Sequence, residues 1–132
     1  MNHGRLRLNR PAIGGAITIG LAAIIGVLTL MPLTVSGPLG SDKVYHMIAF
    51  TCLALPVPFT KPRWTLWVIL SVIAYGGTIE VVQPYFGRHA EWADLLADGV
   101  GAILGATIGF ALSFFWRSRH ADGAPISAKQ KR

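Results

Sequence analysis

One histidine and a set of carboxylates carry most of the chemistry open to this chain. His46 can take or give a proton near neutral pH. Glu80, Asp94 and Asp98 can serve as acid and base groups, or as hard oxygen ligands for a cation. Their spacing groups them: Asp42 and His46 stand four apart, as do Asp94 and Asp98, and Glu80 and Gln83 stand three apart, so each pair shares a helix face. Lys43 and Arg88 add positive charge that suits a phosphate or carboxylate, Arg88 through a bidentate fork. Of the six acidic residues only Asp122 lies outside the stretch from Asp42 to Asp98. No serine or cysteine nucleophile belongs to this set, which argues against serine- or cysteine-hydrolase chemistry.

These side chains need elements that bring them together, and the composition says what those elements are. Hydrophobic residues make up 52% of the 132 and charged residues only 14%, against about a quarter in soluble domains. Most of the surface therefore does not face water. Four apolar segments follow: Ala12 to Met31, Val44 to Phe59, Trp64 to Gln83, and Asp94 to Trp116. A helix needs about 20 such residues to cross the hydrocarbon layer. Pro11 suits a first helical turn and Pro32 an exit, Pro56 and Pro58 disturb the end of the second segment, and Pro84 stops the third. The first run is longer than the apolar core of a signal peptide and is read as a retained span. The expected fold is all-α, a four-transmembrane-helix bundle over residues 12–116, with a cytoplasmic segment 1–11 and a flexible cytoplasmic tail 117–132.

The charge is +6 overall, but no aromatic-interleaved basic face accompanies it, so nucleic acid is not an expected partner. Ten of the twelve Lys and Arg fall before the first segment, between the second and third, or after the fourth; Lys43 and Arg88 are the other two. That asymmetry places both termini in the cytoplasm and the chain in the inner membrane. It also gathers Asp42, Lys43, His46, Glu80, Gln83, Arg88, Asp94 and Asp98 at the outer face. Asp42 and Asp94 can double as helix caps, Arg88 can neutralise Glu80 or Asp94, and His89 and Glu91 read as solvated loop residues. Gly101, Gly105 and Gly109 continue the stripe of Asp94 and Asp98 as overlapping G-x-x-x-G patterns, a close-packing face. Cys52 stands alone, so no intramolecular disulfide can form, and it reads as a buried or lipid-facing side chain.

The run Asp42-Lys43-x-x-His46-x-x-x-Phe50, then Glu80-x-x-Gln83, Gly87-Arg88 and Asp94-x-x-x-Asp98-x-x-Gly101, resembles the pattern of the VanZ-like membrane proteins, named after a teicoplanin-resistance accessory protein. The likeness spans about Asp42 to Gly105, and Asp98 stands where that family often carries Asn. It implies a multi-spanning helical protein and, for some members, altered susceptibility to lipoglycopeptide antibiotics. It supplies no reaction.

Two functions compete on these residues. One is an outer-leaflet site that binds an anionic, lipid-linked or cell-wall-related ligand through Asp42, Lys43, Gln83, Arg88 and Asp98. The other is a membrane-embedded hydrolase or transferase acting on a lipid headgroup, with His46 and Glu80 as acid and base and Asp42 or Asp94 orienting the imidazole. No cofactor is expected, and no compact metal motif is present. A divalent cation on Glu80, Asp94, Asp98 and His46 is the variant reading.

Overall fold

A computed structural model describes residues 9–31 and 41–121. The described residues are all-helical, without a strand. Helix α1 runs Arg10–Leu30, α2 Ser41–Ala54, α3 Pro56–Thr60, α4 Thr65–Val82 and α5 Trp92–Ala121, with short 3-10 turns over Pro62–Trp64 and Gln83–Phe86 flanking α4. Pro11 sits in the first turn of α1 as expected, where the missing N–H costs nothing. Pro84 falls in the 3-10 turn that ends α4. The fourth segment outruns its expected end at Trp116, since α5 continues to Ala121. The remaining tail, with Asp122, lies outside the described residues.

Among the described residues three helices, not four, are long and apolar enough by themselves to cross a membrane: Arg10–Leu30, Pro62–Phe86 and Trp92–Arg119. The second segment fails that test because it is divided. Its α2 part has 14 residues, about 21 Å at 1.5 Å per residue. Pro56 and Pro58 bring no backbone N–H to the helical ladder, and the helix is interrupted at Leu55. The interruption is mild. Leu55 keeps helical angles (φ −77, ψ −44), and Phe59 N–H still donates to the Leu55 carbonyl at 3.2 Å. The chain therefore continues in nearly one direction from Ser41 to Thr60.

Segments consecutive in the chain run in opposite directions, so that α5 runs parallel to α2. α5 lies along α2 and α3 for their whole length, because Gly101, Gly105 and Gly109 meet the main chain of Met47, Thr51 and Leu55 in turn. A Cβ at any of the three would run into backbone, so the G-x-x-x-G stripe sets how close the helices come. Phe50, Leu53, Ala54, Ala102 and Ala106 are fully or almost fully buried along this seam. Along its middle α1 is held at two levels: Thr18 Oγ1 donates to the Leu53 carbonyl at 3.4 Å, and Tyr75 Oη donates to the Ala22 carbonyl at 2.5 Å. The outward faces carry Ile17, Ile19, Leu66, Trp67, Leu96 and Phe114, all exposed. Cys52 is exposed on an outward face too. An apolar exterior this extensive fits lipid and not water.

The two ends of the bundle differ. Arg10, Lys61, Arg63, Arg117 and Arg119 collect at one, where the Arg10 guanidinium lies 5.5 Å from the Trp116 ring and Lys61 Nζ lies 4.4 Å from the Trp64 ring. The other end holds the close of α1, the start of α2, the close of α4 and the start of α5, and with them the polar residues.

Candidate functional site

The polar end is built in two layers. Its floor consists of His46 from α2, Glu80 from α4 and Asp94 and Asp98 from α5, with Gln83 just past α4; each is at least nine-tenths buried. His46 Nδ1 lies 2.9 Å from Asp98 Oδ1, the separation of a ring N–H donating to a carboxylate. One ligand atom each from His46, Glu80 and Asp98 falls within 4.8 Å of the others. Asp98 reaches this depth because Gly76 faces it across the α4–α5 contact: a Cβ on Gly76 would stand 2.7 Å from Asp98 Oδ2. Glu80 is fixed from the loop, since Glu91 N–H donates to Glu80 Oε2 at 2.9 Å.

The rim carries the cations. Lys43 Nζ pairs with Glu91 Oε2 at 2.9 Å and stands 3.6 Å from Asp94 Oδ1, near enough for charge attraction and too far for a hydrogen bond. The Lys43 ammonium, bonded to the Glu91 carboxylate, holds that carboxyl below its ordinary range. Arg88 Nη1 donates to the Thr29 carbonyl at 3.0 Å, and Nη2 lies 3.7 Å from Asp42 Oδ2. Gln83 Nε2 donates to the same Thr29 carbonyl at 3.4 Å.

The eight site residues named from the sequence meet at this one end. Their pairings differ from expectation in three ways. His46 is oriented by Asp98, and the exposed Asp42 and the Lys43-facing Asp94 do not take that part. Arg88 is drawn to Asp42 and to α1, not to Glu80 or Asp94. Glu91, read as a solvated loop residue, tethers Lys43 through its side chain and Glu80 through its main chain; His89 is exposed as expected. Asp94 lies in the first turn of α5, begun at Trp92, with its side chain directed into the floor. Thr29 escaped notice because its contribution is a carbonyl, which side-chain chemistry does not advertise. Its one signal is position: the last four carbonyls of a helix lack intrahelical donors, and α1 ends at Leu30.

The electrostatics of the floor are unbalanced. Glu80 Oε1, Gln83 Oε1, Asp94 Oδ1 and Asp98 Oδ2 are buried and have no hydrogen-bond partner among the described residues. A buried acceptor left unpaired costs about 1–3 kcal/mol. Two carboxylate charges 4 Å apart repel by about 4 kcal/mol at an effective dielectric of 20. Of the rim cations only Lys43 reaches the floor, at 3.6 Å from Asp94. Among the described residues neither Lys43 nor Arg88 pairs with Glu80 or Asp98, so the arrangement suits the uptake of positive charge, as a proton or a cation, beside those two carboxylates. The rim suits an anion. A separate cavity of about 810 Å³ opens at the basic end, lined by Thr18, Lys61, Trp64 and Ser71 among others, and does not touch the polar cluster.

The model of the VanZ/LLP1 family matches residues 19–116, which take in every side chain of the floor and rim. No curated protein matches the chain, and no solved structure does. The chain belongs to the VanZ/LLP1 family, and with its apolar helices it is a VanZ-like membrane protein.

Proposed function

We propose, from that membership and from the geometry of the polar end, that the protein crosses the cytoplasmic membrane four times and binds an anionic, lipid-linked or cell-wall-related ligand at the outer leaflet. Through such a ligand it would bear on glycopeptide susceptibility, as the resemblance implies for some members. The fourth crossing is the divided segment α2–α3, whose 20 residues from Ser41 to Thr60 reach about 30 Å. The observation that carries the binding reading is the state of Arg88. Its Nη1 is anchored on the Thr29 carbonyl at 3.0 Å, while its remaining neighbour Asp42 is half-exposed and held only at 3.7 Å. A guanidinium has five donors, so an anchored fork keeps donors for a phosphate or carboxylate arriving from the headgroup layer.

The test is binding of a polyprenyl diphosphate to the full chain in lipid nanodiscs. Arg88→Ala should weaken binding at least tenfold while the melting temperature is retained, and Arg88→Lys should recover part of it. Unchanged affinity in Arg88→Ala overturns the reading.

The buried His46–Asp98 contact favours a second reading, acid–base catalysis on the same headgroup. Asp98 accepting from Nδ1–H would leave Nε2 as the base. His46 would take a proton from water as its oxygen bonds to phosphorus. Glu80, as the carboxylic acid, would give a proton to the leaving oxygen as its bond to phosphorus breaks. Turnover of a lipid phosphate by wild-type protein and its loss in His46→Gln would support this; no release of phosphate under any pH from 5 to 9 would exclude it.

A further inference from the structure

We infer that His46, Glu80 and Asp98 form a binding site for one divalent cation at the floor of the polar end. Three independent observations converge on it. The three residues come from three different helices, and one ligand atom of each lies within 4.8 Å of the others. Ligands about 2.0–2.2 Å from a common ion stand at most about 4.4 Å apart, so one ion spans the group with little movement. The residues are 5%, 7% and 0% exposed, which sets them apart from surface acidic clusters. Within this buried group Glu80 Oε1 and Asp98 Oδ2 have no hydrogen-bond partner among the described residues.

The contact between His46 and Asp98 fits the same reading. At 2.9 Å it matches the edge between two neighbouring ligands of an octahedral ion, each about 2.1 Å from it and at a right angle to the other. One imidazole nitrogen with two carboxylates suits Zn²⁺ or Mn²⁺ and not a soft ion. Three protein ligands also leave positions open for a water or an anion. An ion held through Nδ1 takes the lone pair whose protonation the acid–base reading assumes, so the two uses of His46 exclude each other. The site stands apart from the Arg88 anion reading, because it is defined without any lipid.

A second grouping, Asp42, His46 and Asp94, also meets the distance condition. It is the weaker one: the Asp42 side chain is 51% exposed and faces Arg88, and Asp94 faces Lys43. Both of its carboxylates already have a cation near them.

The experiment uses the full-length chain in detergent, stripped with chelator and titrated with Mn²⁺ or Zn²⁺ alone, with no lipid ligand. Bound metal is counted by elemental analysis, Mn²⁺ is followed by its paramagnetic resonance, and the melting temperature is read in parallel. One ion per chain should bind and raise the melting temperature, since a ligand of the native state stabilises it. Glu80→Gln and Asp98→Asn keep side-chain shape, so they should fold and bind at least tenfold more weakly; Asp42→Asn should change affinity less than threefold. Folded wild-type protein that takes up no ion overturns the inference. So does Glu80→Gln binding as tightly as wild type, or a loss in Asp42→Asn as large as that in Glu80→Gln. Loss of headgroup binding in Arg88→Ala with metal uptake intact would leave this site standing.

Discussion

At the scale of single residues, His46, Glu80, Asp94 and Asp98 were legible because membrane topology alone puts them at one end of a bundle. Their partners were not legible. Helical spacing says which residues of one helix share a face, but it carries no register between helices, and His46 and Asp98 are 52 positions apart. The Glu91 pairing leads to a prediction with a definite sign. Lys43 holds the Glu91 carboxyl below its ordinary range. Stability from such a lowered group is present above the unfolded pKa, about 4.3, and is lost as pH falls through the folded value. Wild-type protein should therefore melt at a higher temperature than Glu91→Gln at pH 6, with the gap narrowing as pH falls below about 4.3 and closing once the carboxyl is protonated in the folded state as well. Thermal melts of both proteins across that range check it, and a gap that widens in acid would refute the pairing. The pair is solvent-exposed, so the gap should also shrink in high salt.

At the scale of elements, the four apolar runs, the prolines that bound them and the glycine stripe were all readable. The division of the second run was only half readable: Pro56 and Pro58 announced a disturbance, but not that α2 would stop at Ala54 and leave a five-residue α3. The stripe gives a sharp contrast between neighbouring glycines of α5. A Cβ at Gly105 would overlap the Thr51 carbonyl and its Cα, which are backbone and cannot rotate away, whereas a Cβ at Gly99 meets nothing within 4 Å. Gly105→Ala should cost about 1–3 kcal/mol by overpacking, and Gly105→Val more. Gly99→Ala should be neutral or stabilising by up to about 1 kcal/mol, because alanine is the better helix former. Denaturation of the three variants in detergent measures both. Equal effects at the two positions would mean that α5 does not pack on α2 through this face.

At the scale of the whole molecule, the number of crossings turns on the divided segment. Length and hydropathy applied helix by helix find three spans, and an odd number would put the ends of the described chain on opposite sides. The packing is what supports the proposed fourth crossing. α1 begins beside α3, where Gly14 meets Thr60 and the Pro56 carbonyl, and Arg10 reaches Trp116 near the end of α5. The polar start of α2 sits at the far end against the start of α5. The segment Ser41–Thr60 thus runs the length of the bundle, its polar interruption sheltered by α5 where Gly109 meets the Leu55 carbonyl, as the backbone of a crossing requires in lipid. A window of length and hydropathy scores each helix against lipid alone and takes no account of a neighbour that packs on it. Single cysteines at Asn9, Lys61, Ala90 and Arg119 in a Cys52→Ser background decide the matter, probed with a membrane-impermeant thiol reagent in right-side-out vesicles. Four crossings under the positive-inside rule predict that Ala90→Cys labels at once, while Asn9→Cys, Lys61→Cys and Arg119→Cys label only after permeabilisation. Three crossings with the same N-terminal side would reverse the result at Lys61, Ala90 and Arg119 together, and would remove the polar cluster from a single face of the membrane.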